Sequence, residues 1–251
     1  MRHRLRAFAL HLLASGIVLS LILGTLYAGW YRWPGWYLAG AATVTLTLAA
    51  VDLVAGPLLT FVIAAPAKPR RVLARDVAVI AAVQVVALLY GCVALWNGRP
   101  LYYAFSVDEL QLVQAYDLDP DELAQARRRN SPLMPHWYSL PRWIWAPLPD
   151  DALEQARIVT SAVSGGSDVV GMPRYYRTWD SGLPQLRGEL RTIDDLKYFS
   201  LNEKKALKAK VRAAGLDPMQ ADAMAFSGRG RPLLAVFDPA TATLKKLVRV
   251  D

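Results

Sequence analysis

The sequence predicts a membrane protein with three N-terminal transmembrane α-helices followed by a small α+β domain on the extracytoplasmic side. Two observations predict this class. Residues 1–96 contain three apolar stretches and carry eight Lys/Arg and two acids, a net charge of +6. All of these charges except one acid lie at the ends of the stretches or in the loops between them. Residues 97–251 carry 21 basic and 19 acidic residues, and their short strand-like and helix-like patterns are typical of a mixed globular domain. The expected division is therefore a transmembrane region, 1–96, and a domain, 97–251.

Each apolar stretch reaches the ~20 residues that a helix needs to cross a bilayer core. The first has no charge between Arg6 and Arg32. Its apolar run exceeds the ~7–15 residues of a signal-peptide core and lacks a good cleavage site, so we expect a retained anchor. Only one charge, Asp52, lies within the second span, and none lies within the third. The predicted spans are about 8–28, 37–63 and 77–96.

The basic residues of the short loops predict the orientation. Positive charge is enriched in cytoplasmic loops, and here it lies before the first span and between the second and third, whereas the first loop carries only Arg32. The N-terminus and second loop are therefore expected in the cytoplasm. If the protein lies in the inner membrane of a Gram-negative bacterium, the C-terminal domain is then expected in the periplasm. The expected cytoplasmic anchor consists of Lys68, Arg70, Arg71 and Arg75.

A polar site is predicted inside the spans. Asp52 sits in an apolar helix, where a charge costs ~2.5–3.5 kcal/mol on insertion scales, and Gly56-Pro57 follows it. At about 1.5 Å per residue, Tyr90 reaches a similar depth and is a possible hydrogen-bond donor to an ionised Asp52; a neutral carboxyl is the alternative. Gln84 falls level with Pro57, which frees the carbonyl of Leu53. The predicted site is Asp52, Gly56, Pro57, Gln84 and Tyr90, acting either as helix glue or in partner binding.

Aromatic residues mark the ends of the first and third spans. Tryptophans and tyrosines are enriched at membrane–water interfaces, so their clustering predicts an aromatic belt on one side of the membrane. Its expected members are Trp30, Trp33, Trp36, Tyr37, Trp96, Tyr102 and Tyr103.

The domain begins with two predicted strands, 101–106 and 109–115. Asp119-Pro120 opens a helix that ends near Arg129, Asp150 or Asp151 opens one that ends near Val163, and Ser200 or Asn202 opens one that ends at Gly215. A hairpin of residues 232–237 and 243–250 closes the chain. Residues 168–191 are interpreted as a long loop. The tryptophans of segment 131–149 cover the sheet or lie on the membrane surface, and core packing is favoured: Trp137, Trp143 and Trp145.

Catalytic and metal-binding patterns are missing from the sequence. Cys92 is the sole cysteine, and the histidines His3, His11 and His136 lie far apart, so no metal site is legible. His11 is interpreted as a packed or interfacial histidine. The domain's net charge of +2 disfavours nucleic-acid binding. We therefore predict a protein that is not an enzyme, with no cofactor and no catalytic residues.

The motif Asp52-x-x-x-Gly56-Pro57-Leu58-Leu59-Thr60, with Gln84 and Tyr90-Gly91 in the third span and the closing GRGRPLLAVFDPATATL, resembles the type IV pilin accessory proteins of the TfpX/TfpZ family. The resemblance covers the whole chain. It implies an inner-membrane protein that acts as a pilin-specific chaperone or stabiliser in type IV pilus assembly. One departure is Thr241-Ala242, where the family pattern implies a Thr-Gly turn.

The resemblance implies the major type IV pilin as partner, together with membrane lipids and other pilus assembly proteins. A membrane pilin presents a single apolar helix with a polar N-terminal end and a periplasmic head. The spans are expected to pack on that helix and the domain to contact the head. Two alternatives stay open: an enzyme that modifies pilin or a cell-envelope substrate, and a sensor whose periplasmic domain binds a small ligand.

Overall fold

A computed structural model describes residues 1–64, 69–197 and 199–250. The chain divides into two compact units. The first combines Met1–Arg32 with Ala41–Gly98, and the second combines Trp33–Gly40 with Arg99–Asp251. The segment between the first two apolar helices thus belongs to the second unit. As a result, the chain passes between the units three times.

Three helices in the first unit are long and apolar enough to cross a membrane: Arg2–Tyr31, Ala42–Ile63 and Arg71–Asn97. We call them the first, second and third apolar helices. The first is helix α1 (Arg2–Leu26) and a π-helical turn (Tyr27–Tyr31). The second joins α3 (Ala42–Ala49) to α4 (Gly56–Ile63) through a π-helical stretch, Ala50–Ala55. The third is α5 (Arg70–Asn97).

The second apolar helix begins five residues after the predicted residue 37. A separate short helix, α2 (Gly35–Leu38), precedes it. Gly40 interrupts the helical conformation between the two helices with φ +66°, a left-handed conformation that glycine adopts without a Cβ clash. Apolar character alone therefore extended the predicted span into a segment that packs elsewhere.

The second apolar helix is the middle element of its unit. Phe8 of the first helix meets Phe61 edge-to-face at a 6.3 Å centroid distance, and Leu48 packs where a side chain on Gly91 of the third helix would otherwise be. At the other end, Trp30 and Trp96 lie edge-to-face at 5.1 Å, and the Tyr31 hydroxyl donates to the Leu95 carbonyl at 2.8 Å.

The second unit is built on an eight-stranded mixed sheet. Along the sheet the strands run β4-β3-β1-β2-β6-β7-β8, and β5 pairs with β6 beside β2. Strand β1 is parallel to β3 and antiparallel to β2, and it is buried along its whole length. The strands are β1 (Pro100–Ser106), β2 (Glu109–Gln114), β3 (Arg142–Trp145), β4 (Arg177–Thr178), β5 (Arg191–Thr192), β6 (Asp222–Ser227), β7 (Leu233–Phe237) and β8 (Leu244–Arg249).

Four helices flank the sheet: α6 (Pro120–Arg128), α7 (Ala152–Val163), α8 (Trp179–Glu189) and α9 (Leu201–Ala213). The predicted helix starts are confirmed by their caps. Asp119 and Asp151 accept backbone N–H groups in the first turns of α6 and α7, and Ser200 forms a capping box with Glu203. Trp143, Trp179 and Leu186 pack into the core on one face of the sheet, and Leu207 of α9 packs on the other.

Helix α8 corrects one prediction. Residues 168–191 were interpreted as a long loop, but they contain two short 3₁₀ turns, strand β4 and this 11-residue helix. Gly182, Pro184 and Gly188 all lie inside this helix, so the local sequence disfavours it. Packing of Gly182 against the Trp145 side chain nevertheless stabilises the helix.

Several predicted belt members also lie elsewhere. Tyr102 and Tyr103 are buried in β1, with exposed fractions of 0% and 7%, and burial raises the pKa of each hydroxyl to about 12. Tyr37 packs against the sheet core. The aromatic contact that the structure shows between the first and third apolar helices is that of Trp30 with Trp96.

The segment before the second apolar helix is clasped by the loop between β6 and β7. The Gly230 amide donates to the Leu38 carbonyl at 2.6 Å, and a side chain at Gly228 or Gly230 would overlap the backbone of residues 37–40. We call this contact the glycine clasp. In the last hairpin, Ala242 adopts φ 54°, the left-handed conformation that favours the glycine of the family pattern.

Candidate functional site

Four polar side chains of the apolar helices form one hydrogen-bonded chain. His11 Nδ1 lies 2.6 Å from Thr60 Oγ1, and His11 Nε2 lies 2.7 Å from Gln84 Oε1. Gln84 Nε2 in turn lies 3.4 Å from both the backbone oxygen and Oδ1 of Asp52. The chain therefore links all three helices, and we call it the polar relay.

The geometry fixes the direction of the relay. Gln84 donates through Nε2 to Asp52, so its Oε1 accepts a hydrogen bond from the N–H at His11 Nε2. In a neutral imidazole, Nδ1 is then an acceptor, and the Thr60 hydroxyl donates to it. The bonds run from Thr60 through His11 and Gln84 to the carboxyl group of Asp52.

The π-helical stretch explains which carbonyl needs Gln84. In an α-helix Pro57 would free the carbonyl of Leu53, as the sequence predicted. Here Gly56 N–H bonds to the Val51 carbonyl, five residues back, so the missing N–H of Pro57 leaves the Asp52 carbonyl free instead. Gln84 is the expected partner, but its target is shifted by one residue.

Asp52 is nearly fully buried, at 4% exposed, yet its carboxyl is only partly satisfied. Oδ1 receives the Gln84 amide, whereas Oδ2 has no hydrogen-bond partner among the described residues. A buried carboxylate oxygen without a donor is costly in an apolar environment. This oxygen is the open end of the polar relay.

Gly56 makes room for the relay. A Cβ at this position would overlap the amide group of Gln84, so only glycine lets that side chain lie across the second helix to reach Asp52. Pro57 and Thr60 of the same helix are also buried. Gly56 and Gln84 therefore lie against each other in the structure, and the functional role of the predicted site stays a prediction.

Tyr90 does not join this site. Its side chain is 80% exposed, whereas Gln84, six residues earlier, is 8% exposed. The interpretation that Tyr90 hydrogen-bonds Asp52 is wrong, because equal depth does not place two residues on facing sides of their helices. His11 and Thr60 take part instead. Counting about 1.5 Å per residue from the basic ends places those two at nearly the same depth, a signal that was available in the sequence.

A groove opens beside the relay between the first and third apolar helices. The part of the groove next to the relay encloses about 520 Å³. It is lined by small residues such as Ala14 and Ala81 and by the four relay side chains, His11, Asp52, Thr60 and Gln84. A second cavity of about 520 Å³ lies between the same two helices nearer Trp96. The two cavities follow one stripe on each helix. We call them together the lateral groove, with walls at Ala7, Ala14, Val18, Ile22 and Leu26 and at Val77, Ala81, Val85, Leu89 and Val93.

The lateral groove has the dimensions and surface of a helix-binding site. From Ala7 to Leu26 it extends about 28 Å, close to the ~30 Å thickness of a bilayer core. Its apolar walls are open, with Val85 and Leu89 52% and 59% exposed. Small side chains in the part near the relay permit a close approach of another helix.

The predicted cytoplasmic anchor is only partly described. Lys68 lies outside the described residues, Arg70 begins α5, and Arg71 and Arg75 are exposed in its first turns. Their cytoplasmic location stays a prediction.

In the second unit, Arg174 pairs with two acidic side chains. Arg174 Nε lies 2.7 Å from a Glu122 carboxylate oxygen, and Arg174 Nη2 lies 3.2 Å from Glu154. Burial raises the pKa of Glu122, and the Arg174 charge opposes that shift. Since these side chains pair with one another beneath α6 and α7, we assign the cluster to packing.

Three curated proteins of Dichelobacter nodosus are similar to this chain. It is 26% identical to a fimbrial assembly protein of serogroup I over 204 residues, 80% of this chain and 76% of that protein, and the serogroup E1 protein matches equally well. It is 30% identical to the fimbrial assembly protein of serogroups C1 and C2 over 117 residues, 47% of this chain and 89% of that protein. The chain belongs to the fimbrial assembly protein family.

Membership of this type IV pilus assembly-related family supports a role for this chain in pilus biogenesis. No family model and no solved structure matches the chain.

Proposed function

We propose that this protein binds the major type IV pilin in the inner membrane and holds the apolar helix of the pilin in the lateral groove until the subunit is incorporated. In this proposal the protein acts as a pilin chaperone or stabiliser. Its N-terminus is cytoplasmic, and its second unit lies in the periplasm, where it contacts the pilin head. The observation that carries the proposal is Asp52, a lining residue of the groove whose buried Oδ2 has no partner among the described residues.

The groove suits a single apolar helix better than it suits a small ligand. It is open along its length, and it is walled mainly by valine, leucine and alanine. Helices associate in lipid through close packing and interhelical hydrogen bonds. A helix seated in the groove would bury the exposed walls, and a donor on that helix would satisfy Asp52 Oδ2.

The polar relay gives the groove a fixed acceptor. Because Gln84 holds Oδ1 and is itself held by His11, the carboxyl plane is oriented before a partner arrives. Preorganisation reduces the entropic cost of binding. Gln84 and His11 therefore have the same role in the helix-glue interpretation and in the pilin-binding proposal. The two differ only at Asp52 Oδ2, which bonds to a partner helix in the pilin-binding proposal alone.

No residues are assigned to the enzyme alternative. The names of the relatives carry no enzyme label, and within 1–64, 69–197 and 199–250 no group of three or more His, Cys, Asp or Glu side chains is placed to hold a metal ion. Enzymatic activity stays a hypothesis without residues assigned to it.

The proposal is tested by recovering pilin with the tagged protein from gently solubilised native membranes. Asp52→Leu should reduce the recovered pilin about threefold to eighteenfold, because interhelical hydrogen bonds in membranes contribute about 0.6–1.7 kcal/mol. The abundance of the protein itself should not change. Thr47→Leu is the matched control, since Thr47 is an exposed polar residue of the same helix that bonds only to the Thr43 carbonyl in the described structure.

A second pair of variants tests the groove without touching the relay. Ala14→Trp fills the groove and should abolish pilin recovery, whereas Leu13→Trp places the same side chain at a neighbouring exposed position outside it. Equal pilin recovery with Ala14→Trp and Leu13→Trp would contradict helix binding in the groove. Loss of the protein itself in Asp52→Leu would favour the helix-glue interpretation.

A further inference from the structure

The loop between α6 and β3 exposes a group of large apolar side chains. Trp137 is 71% exposed, Tyr138 57% and Leu140 58%, although they lie in one short segment. The two other tryptophans of this segment, Trp143 and Trp145, pack against the sheet core. The prediction of core packing is thus confirmed for those two and wrong for Trp137. We call residues 136–140 the aromatic tip.

The aromatic tip is a formed structure with fixed anchors. At its base, the Leu133 carbonyl accepts hydrogen bonds from the Tyr102 hydroxyl at 2.6 Å and from the Arg142 guanidinium at 2.7 Å. Within the tip, the His136 amide donates to Ser139 Oγ at 2.8 Å, and the His136 ring stacks on Tyr138 at 5.4 Å. The outward direction of the apolar side chains is therefore built into the loop.

The tip lies at a particular end of the sheet. Strand β1 begins at Pro100, shortly after the third apolar helix ends at Asn97. Strand β3 is parallel to β1, and Arg142 is the register partner of Tyr102. The segment that leads into β3 consequently lies at the same end of the sheet as the start of β1.

Positive charge accompanies the tip. Arg127, Arg128 and Arg129 are all exposed and directly precede the segment in sequence. Trp and Tyr are the residues enriched at the lipid headgroup level, and exposed Arg is attracted to anionic lipids. An exposed apolar and aromatic tip that follows three exposed arginines in the sequence matches the chemistry of an anionic bilayer interface.

We propose that the aromatic tip inserts into the headgroup region of the membrane, with Trp137 and Leu140 as the apolar anchors and the three arginines contacting anionic phospholipid. This lipid site would hold the second unit against the bilayer. The proposal rests on the three apolar helices spanning the membrane and does not depend on pilin binding, so either proposal can fail alone.

The test uses the full-length protein in nanodiscs of phosphatidylethanolamine and phosphatidylglycerol, without pilin. In a Cys92→Ala background, a nitroxide is attached through Leu140→Cys, which leaves Trp137 and Tyr138 in place. The control label is attached through Val163→Cys, because Val163 is an apolar residue that is 85% exposed at the end of α7. Accessibility to oxygen and to a water-soluble nickel chelate is then measured by power-saturation spectroscopy.

We expect a higher ratio of oxygen to nickel accessibility at position 140 than at position 163. Adding Trp137→Glu should lower the ratio at position 140 to the value at 163, and replacing phosphatidylglycerol with phosphatidylcholine should lower it in part. A label at 140 that is as accessible to nickel as the label at 163 would overturn the proposal. Shielding from both reagents would also overturn it, since that result indicates a protein contact.

Discussion

Gly56→Ala is the substitution that probes the polar relay most directly. The new methyl group would overlap the Gln84 amide, which must then turn away from Asp52. Three hydrogen bonds are lost: two from Gln84 Nε2 to Asp52 and one from His11 to Gln84 Oε1. At about 0.6 kcal/mol each, the loss is roughly 2 kcal/mol. The helix propensity of alanine offsets about 1 kcal/mol, so we expect a net destabilisation of about 1 kcal/mol.

Gly24→Ala is the matched control for this change. Gly24 also lies in an apolar helix, but nothing lies within 4 Å of the position that its Cβ would take. We expect it to be neutral or stabilising by up to about 1 kcal/mol. Unfolding of the two variants and the wild type in mixed micelles, followed by circular dichroism, measures the difference.

A double variant makes the prediction specific to Gln84. In a Gln84→Ala background there is no amide for the new methyl group to displace, so Gly56→Ala should no longer destabilise the protein. If Gly56→Ala stabilised the wild type as much as Gly24→Ala did, the relay geometry described above would be wrong. If it destabilised both backgrounds equally, the cost would lie in helix packing rather than in the relay.

Two further predictions concern the second unit. Gly230→Ala should lower the thermal unfolding midpoint, with a loss of about 1–3 kcal/mol in the free energy of unfolding, because its Cβ would overlap the backbone of Tyr37 and break the glycine clasp. Gly188→Ala is the control and should not lower the midpoint, since nothing lies within 4 Å of its Cβ position. Asp119→Asn should destabilise the protein by about 0.5–1.5 kcal/mol at neutral pH, since Asn keeps the helix cap but loses the charged acceptor of the Ser167 hydroxyl and of the α6 amides. These bonds, led by that of Ser167, lower the pKa of Asp119 below its usual value, so its stabilisation is present above about pH 4 and is lost as the pH falls through the folded pKa. The difference between wild type and Asp119→Asn in thermal unfolding should therefore shrink in acid, and a difference that stayed constant from pH 7 to pH 3 would contradict the assignment.

The elements that sequence predicted well are those with local causes. The caps Asp119, Asp151 and Ser200 act within a few residues of themselves, so the starts of three helices were legible. Helix α8 was not predicted, because Pro184 disfavours a helix locally and its formation depends on contacts with distant residues. Apolar character alone also extended the predicted second span too far, into the segment that the glycine clasp holds.

The candidate site was predictable in depth but not in rotation. Distance along a helix placed Asp52 and Gln84 in the middle of the spans, and both take part in the relay. The same count admitted Tyr90, whose position around the helix axis turns it outward. The shift of the free carbonyl from Leu53 to Asp52 depends on a π-helical register that hydrophobic pattern does not encode. His11 was passed over because one histidine in an apolar stretch has many uses.

The most direct test of pilin binding in the lateral groove is a site-specific photocrosslink in native membranes. The crosslinker would replace Val85, which lines the groove, or Val83, which is 63% exposed and does not line it. Both positions lie on the third apolar helix two residues apart, so depth and expression are closely matched. We predict a crosslink from position 85 to the transmembrane helix of the major pilin, reduced by Asp52→Leu, and little from position 83. Equal crosslinking from both positions, or none from position 85 in a folded protein, would contradict the proposal.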